Sequence, residues 1–285
     1  MTQISGSAAA ITGAASGIGQ ALALELAARG CDLALADRDE GGLKDTASQV
    51  KAKYSRNVSV HRTDVSDPGQ IEDFSKAVAH SHPNLNILIN NAGIALLGQF
   101  HEISQQQIET LMGINFWGVV HGVRAFLPQL QRQREAHIVN VSSIYGIIAP
   151  PGQTAYTAAK FAVRGFSESL RHELELNKSP VRLSVVHPGG VATRIVHNAT
   201  MGASITDNTR RSTTIDRFTE MAKTTPTGAA ERIIRGIEKN EKRILIGNDA
   251  RFMDLLQRFR PSSYWAFLQR QLEKKYGPMI KTNDK

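Results

Sequence analysis

Residues 8–19 read Ala8-Ala-Ala-Ile-Thr-Gly13-Ala-Ala-Ser-Gly17-Ile-Gly19, and this stretch decides the fold. Residues 8–12 are an apolar run of the length of a buried strand. Residues 18–29 then repeat apolar side chains at helical spacing, Ile18, Leu22 and Leu26, with alanine between them. Gly13, Gly17 and Gly19 fall at the turn between the two patterns. Glycine there lets the chain turn sharply and lets a pyrophosphate approach the helix N-terminus, where free N–H groups and the dipole favour an anion. The spacing is G-x-x-x-G-x-G rather than the commoner G-x-G-x-x-G. An ordinary glycine turn is the bland alternative; strand, turn and helix in this order argue against it.

Outward from that segment, strand and helix patterns alternate. Strand-like runs lie at 8–12, 32–36, 58–62, 87–90, 137–141, 182–186 and 243–246. Helical patterns lie near 18–29, 40–53, 68–80, 104–134, 155–177 and 227–239. Alternation of this kind predicts one α/β domain, a doubly wound, seven-stranded parallel sheet with helices on both faces, over residues 1–250. Ligands bind such sheets beyond the carboxyl ends of the strands.

A second segment carries chemistry. Tyr156-Thr-Ala-Ala-Lys160 places a phenol and an ammonium four residues apart, on one face of a helix. A nearby ammonium favours the phenolate and is expected to lower the phenol's pKa, so that Tyr156 can exchange a proton with an alcohol. Alone, such a pair arises readily by chance. Ser142-Ser143 precedes it, at the end of the strand pattern over 137–141. Asn90-Asn-Ala-Gly93 follows the strand pattern over 87–90.

Taken in order, Thr12-Gly13…Gly17-Ile-Gly19, Asp64-Val65, Asn90-Asn91-Ala92-Gly93, Ser143 with Tyr156 and Lys160, and Pro188-Gly189 resemble the short-chain dehydrogenase/reductase family from about residue 7 to residue 247. The resemblance implies a Rossmann domain that interconverts a secondary alcohol and a ketone by hydride transfer with a nicotinamide dinucleotide. It implies Asn115, Ser143, Tyr156 and Lys160 as the catalytic group. Ser143, thirteen residues before Tyr156, is preferred to Ser142 on that spacing. Ser143 orients the carbonyl oxygen, Tyr156 exchanges the proton, and Lys160 also bonds the nicotinamide ribose. Asn115 holds a water linking Lys160 to solvent, or caps a helix irregularity. The resemblance further implies that Asp64 and Val65 meet the adenine, that Asn91, Ala92 and Gly93 line the cleft, and that Pro188, Gly189, Val191 and Thr193 border the nicotinamide. Ile18 and Tyr156 complete the cofactor contacts.

Asp37 ends the second strand pattern, eighteen residues after Gly19. A carboxylate there accepts the adenosine ribose hydroxyls and repels a 2′-phosphate, which favours NAD. Arg38, next in sequence, could hold that phosphate instead, which keeps NADP as the alternative. Ser16 stands before Gly17, where NADP-preferring relatives often carry a basic residue. A helix N-cap role for Asp37 is weaker, because Asp39 can serve it.

The sequence has 285 residues, 41% hydrophobic and 21% charged, as in a soluble globular protein. Its one cysteine, Cys31, excludes an internal disulfide and reads as a small core residue. With no signal-peptide pattern at the N-terminus and no long apolar run, a cytoplasmic setting is expected. No histidine pair has trustworthy metal-ligand spacing, and no metal is expected. Net charge is +8, of which residues 231–285 carry +6, from 13 Lys/Arg against 7 Asp/Glu. Because these charges alternate in sign, a solvated helical surface is preferred to an anionic partner, and no nucleic acid is expected.

Residues 200–225 lack periodicity and predict a loop, within a mobile substrate lid over about 193–225. Residues 251–285 form an extension that many family members lack. Its apolar spacing predicts two amphipathic helices broken at Pro261. Packing on the protein's own body or a sister subunit is favoured over peripheral attachment to a membrane. Residues 144–151 are mostly apolar, which suggests a lipophilic substrate if they line the pocket. By resemblance, the helical patterns at 104–134 and 155–177 would pair subunits into a homodimer or homotetramer. A catalytically silent dinucleotide-binding sensor or scaffold is the alternative function; it would be expected to have lost Ser143, Tyr156 or Lys160.

Overall fold

The computed structural model describes residues 2–205 and 208–277. Residues 206–207 of the expected lid and 278–285 of the expected extension lie outside these. In chain order the elements are β1 (Ala8–Thr12), α1 (Gly17–Ala28), β2 (Asp32–Asp37), α2 (Glu40–Lys53), β3 (Val58–Arg62), α3 (Pro68–Ser81), β4 (Leu85–Asn90), β5 (Leu96–Leu97), α4 (Gln105–Met112), α5 (Gly118–Leu130), β6 (Ala136–Val141), α6 (Thr154–Leu176), β7 (Val181–Pro188), β8 (Thr200–Met201), α7 (Asn208–Met221), α8 (Pro226–Glu238), β9 (Arg243–Ile246), α9 (Asn248–Phe259) and α10 (Tyr264–Tyr276).

Seven strands form one parallel sheet in the order β3-β2-β1-β4-β6-β7-β9. Successive side chains of a strand point to opposite faces, and here both faces are covered. Ala9 and Ile11 of β1 join Leu33 and Leu35 of β2 under Leu22 and Leu26 of α1 and Ile233 and Ile237 of α8. Ala8 and Ala10 join Ala34, Ala36 and Leu88 under Phe74 of α3, Phe126 of α5 and Leu174 of α6. That two-sided burial is why the strands read as continuous apolar runs. From β1 the chain winds outward to β2 and β3, then returns to place β4 on the other side of β1. The reversal opens a crevice beyond the carboxyl ends of β1 and β4.

All seven expected strands are present, some longer by a residue or two at their ends. Two regions differ from expectation. The helical pattern at 104–134 is two helices joined by a single wide turn, Gly113–Trp117, of π-helical geometry. Asn115 causes it: fully buried, its side chain bonds both backbone groups of Ile94, with Oδ1 accepting from N–H (2.8 Å) and Nδ2 donating to C=O (2.9 Å). The expected loop over 200–225 contains α7, fourteen residues long. Its apolar face is narrow, Ile215 and Phe218 three residues apart, which is why no periodicity stands out in the sequence. Those two side chains pack on Ala95, Leu97, Val196 and Ala199. The short pairing of β5 with β8 ties this region to the segment after β4.

The extension does break into two helices around Pro261, and it folds back on the protein's own body. Ala250 of α9 and Leu268 of α10 are buried against Ile144, Ile147 and Ile148, with Tyr145, Met253, Leu256, Tyr264, Trp265 and Phe267 around them. The Tyr264 hydroxyl accepts from the Ala149 N–H at 2.9 Å. The isoleucines of the apolar run 144–151, considered as pocket lining, are therefore sunk beneath α9 and α10. Cys31 is fully buried, and burial pushes its thiol pKa up, as suits a core residue.

Candidate active site

A cleft of about 340 Å3 opens where the strand order reverses. Gly13, Ser16, Gly17 and Ile18 line its floor, Asp37, Arg38, Asp64 and Val65 one side, and Asn91, Ala92 and Gly93 the other. Thr193 closes it from above. Gly13 has φ +68°, and a Cβ there would sit 2.8 Å from the Cα of Ala92 and from Nδ2 of Asn91. Asn91 holds this junction by donating from Nδ2 to the carbonyls of Thr12 (3.0 Å) and Gly13 (3.1 Å). Gly19 lies below the cleft floor, where a Cβ would collide with the Gly13 carbonyl.

The N-terminus of α1 is unlike others in the molecule. Helices α2, α3, α4 and α8 are capped by the side chains of Asp39, Asp67, Ser104 and Thr225. Ser16, at the same place on α1, makes no cap bond, and the first turn carries no acid. Its N–H groups and hydroxyl are thus open to an anion in the cleft. Asp39 takes the N-cap of α2, accepting from Gly42 at 3.0 Å. That leaves Asp37 at the rim, its carboxylate oriented by the N–H groups of Ala15 (3.1 Å) and Asp39 (3.1 Å). An adenosine diphosphate fits these features: N–H donors for the pyrophosphate, a space at Gly13 that any side chain would fill, and a carboxylate acceptor for the ribose.

Behind Gly93, which lines the cleft, β6 delivers Ser142 and Ser143 to the carboxyl edge and α6 presents Tyr156 and Lys160; these four side chains are not themselves part of the cleft lining. The two serines part company. Ser142 is buried and donates to the Lys160 carbonyl at 2.8 Å, a packing role. Ser143 is half-exposed, accepts from the Tyr145 N–H at 3.1 Å, and hydrogen-bonds the Tyr156 phenol. The Lys160 ammonium, 4% exposed, donates to the Val141 carbonyl at 3.0 Å and lies 5.6 Å from the Tyr156 ring centroid. A Cβ on Gly93 would lie 3.2 Å from Asn115 Oδ1 and 3.6 Å from Lys160 Nζ, so these three residues form one wall.

One expectation reverses. Burial pushes the Tyr156 phenol up to about 12, although the Ser143 hydroxyl pulls it down, and burial pushes Lys160 down to about 8. The ammonium does not yield a low-pKa phenol, because both groups share one water-poor pocket and the cost of charging each dominates. The pair is set to hold a proton on Tyr156 at neutral pH.

Pro188, Gly189 and Val191 lie just outside the cleft lining. Gly189 and Gly190 are clasped by Asp249, which accepts from the Gly190 N–H at 2.6 Å. Arg194, Ile195 and Asn198, on the segment before β8, do line the cleft and carry no sequence signal. His187 was also uninformative in sequence. It is fully buried, and its Nδ1 lies 2.9 Å from the Ser143 carbonyl. A carbonyl only accepts, so Nδ1 carries the hydrogen and Nε2, buried without a protein partner, does not. Burial pushes His187 down to about 4. A neutral imidazole therefore pins the backbone that presents Ser143.

Comparison with known proteins shows the family. The short chain dehydrogenase family model matches residues 7–203. A putative oxidoreductase of Mycobacterium tuberculosis, SadH, is 40% identical over 265 residues, covering 93% of this chain and 94% of that protein. A Burkholderia phymatum short-chain dehydrogenase/reductase solved in complex with NAD superposes with a TM-score of 0.78 at 29% identity, over the full length of both chains. An alcohol dehydrogenase of Thermococcus sibiricus, complexed with 5-hydroxy-NADP, superposes with a TM-score of 0.70 at 26% identity, over 84% of this chain and 95% of that one. The chain belongs to the short-chain dehydrogenase/reductase family of oxidoreductases.

Proposed function

We propose that this protein interconverts a secondary alcohol and a ketone on a lipophilic molecule, with NAD preferred to NADP. The observation that carries the reading is the meeting of Ser143, Tyr156 and Lys160 behind the Gly93 wall of a cleft that also offers the uncapped α1 N-terminus and the Asp37 carboxylate. Gly13, Ser16, Gly17 and Ile18 would hold the pyrophosphate, Asp37 the adenosine ribose, and Asp64 and Val65 the adenine. Asn91, Ala92, Gly93, Lys160, Pro188, Gly189, Val191 and Thr193 would bound the nicotinamide half. Bound there, the nicotinamide would take or give the hydride at its C4 and, when oxidised, add a positive charge favouring the phenolate.

The rest is done by the chain. Ser143 donates to the substrate oxygen and holds it against the phenol. Tyr156 gives its proton to the developing alkoxide in reduction and takes one from the alcohol in oxidation. Lys160 keeps a cation beside the phenol, and Asn115 fixes the wall on which Lys160 stands. With the phenol near 12 and Lys160 near 8, oxidation should accelerate as pH rises above neutrality and level off as Lys160 loses its charge, while reduction is served by the protonated phenol already present.

Support for a lipophilic substrate comes from a different surface than residues 144–148. Ala95, Leu97, Val196 and Ala199, with Ile195, Met201, Ile215 and Phe218, form an apolar cluster around the segments that flank the cleft. Asp37 against Arg38 favours NAD because the carboxylate is held in place by two backbone donors. A homo-oligomer is part of the reading: Trp117 and Phe161, on the helical segments that pair subunits in relatives, are 50% and 39% exposed.

The test is a calorimetric titration with NADH and, separately, NADPH, followed by turnover of a panel of apolar secondary alcohols. Tighter NADH binding and alcohol oxidation abolished by Tyr156→Phe are expected. Tighter NADPH binding would make Arg38 dominant. Binding without any turnover would favour the silent sensor, and no binding of either would defeat the enzymatic reading.

A further inference from the structure

We infer that the outer face of α9 docks on an anionic lipid surface. Phe252, Leu255 and Phe259 recur at i, i+3 and i+7, and are 51%, 54% and 83% exposed. At about 100° per residue they form one stripe, opposite the side on which Ala250 and Asp254 are buried. Arg251 and Arg258 run along one flank of this stripe, and Arg260 follows at its end.

In sequence the charges of the extension alternate in sign; in three dimensions they separate. Its described acids all have partners. Asp249 accepts from Gly190, Asp254 is 6% exposed and paired with Arg243 at 2.6 Å and with the outward Arg258 at 3.3 Å, and Glu273 accepts from Gln269 at 2.8 Å. The exposed ionisable residues of 248–277 are all Lys or Arg. An apolar stripe beside a cationic flank is the pattern of a helix lying in a lipid headgroup layer.

Two observations choose a membrane over a second copy of the chain. The stripe offers on the order of 400 Å2 of apolar surface, about half of what each partner contributes to a stable protein interface. An identical copy would also bring arginines against arginines. The attachment would be peripheral, because no described helix is long and apolar enough to cross a membrane. It would have a consequence for the cleft: α9 starts at the carboxyl end of β9 and covers the segment following Ser143, so docking sets the substrate side of the site next to the lipid. The surface itself is independent of the chemistry in the cleft.

The test is flotation of the full-length protein with vesicles of phosphatidylcholine alone or mixed with phosphatidylglycerol, alongside its size by light scattering. Binding to the mixed vesicles, weakened by salt and reduced about tenfold or more by the triple variant Phe252→Ser, Leu255→Ser, Phe259→Ser, is expected. Turnover of a water-soluble substrate and thermal stability should stay unchanged in that variant, since the three side chains are exposed. Three results would overturn the inference: no binding to mixed vesicles, equal binding by the triple variant, or an oligomer that the triple variant dissolves, which would assign the stripe to a second copy.

Discussion

The cofactor side and the substrate side of the cleft are built from different materials. The cofactor side is backbone: glycines at a strand-to-helix turn, an uncapped helix start, and a carboxylate held by two N–H groups. The side proposed for the substrate is side chains: a half-buried phenol and a buried ammonium and imidazole, beside a segment that α9 and α10 cover. Backbone constraints narrow the choice of residue to one or two. Side-chain layers can be met by many combinations of apolar residues of suitable volume. Perturbing the first side should move cofactor binding, and perturbing the second should move turnover, substrate affinity and the response to pH.

The largest separation is expected from Tyr156→Phe. Removing the hydroxyl should cut turnover by about 10²–10⁴-fold, the usual weight of a positioned general acid-base. NADH affinity by titration should stay within about twofold, because the ring is retained. Unchanged turnover would remove Tyr156 from the chemistry.

Next in size is a pH effect on stability, to which His187 beside Ser143 contributes. His187 is neutral in the fold and pushed down to about 4 from an ordinary 6.5. Between those values the unfolded chain binds the extra proton and the folded one does not, so stability is lost as pH falls from 6.5 toward 4. The shift corresponds to about 3 kcal/mol. His187→Asn keeps a side-chain donor that can reach the Ser143 carbonyl and cannot titrate. Chemical denaturation across this window should be flatter for the variant, and a slope as steep as the parent's would show that other groups carry the effect. His137, also fully buried and pushed down to about 4, should contribute a second share through its own variant.

These differences explain what the sequence could and could not reveal. The alternation of strands and helices was legible because each strand is buried on both faces and each helix has one apolar face. The glycine turn proposed to hold the cofactor was legible because Gly13 must adopt φ +68° against the Ala92 backbone, a demand that leaves its mark in the chain. Ser143 was chosen over Ser142 by spacing, and the geometry supplies a reason: Ser142 is spent on the Lys160 carbonyl. The helix α7 was illegible because two apolar residues suffice to seat it. The burial of Ile144, Ile147 and Ile148 depends on residues more than a hundred positions away, which local pattern cannot report. The raised pKa of Tyr156 was missed for the same cause, since desolvation is a property of the whole pocket.

On the cofactor side, Gly13→Ala should exceed any conservative side-chain change nearby. The new methyl would meet backbone at 2.8 Å in a left-handed conformation, a strain of order 1–3 kcal/mol. NADH affinity should fall by about tenfold or more, with a lower melting temperature. Equal binding would mean that the turn has room to yield. Asp37→Ser should act more narrowly. Loss of the carboxylate should raise NADPH affinity relative to NADH by about tenfold, with a small stability cost from the Ala15 and Asp39 N–H groups it orients. An unaltered preference would hand selection to Arg38.

The smallest expected effect is the sharpest test of the division, because it starts far from both ends of the cleft. Tyr264→Phe removes one hydroxyl, the acceptor of the Ala149 N–H, and leaves the ring packed among Ile147, Ile148 and Trp265. The lost bond lies near the surface, so stability should fall by about 1 kcal/mol or less. If the extension scaffolds the substrate side, KM for the alcohol should rise while NADH affinity and the turnover number at saturation hold. The cofactor side has no contact with this hydroxyl, and Ser143 is anchored separately by His187. A change in KM alone would therefore locate substrate recognition in the segment that α10 clamps. An equal change in NADH affinity would show that the two sides are mechanically one.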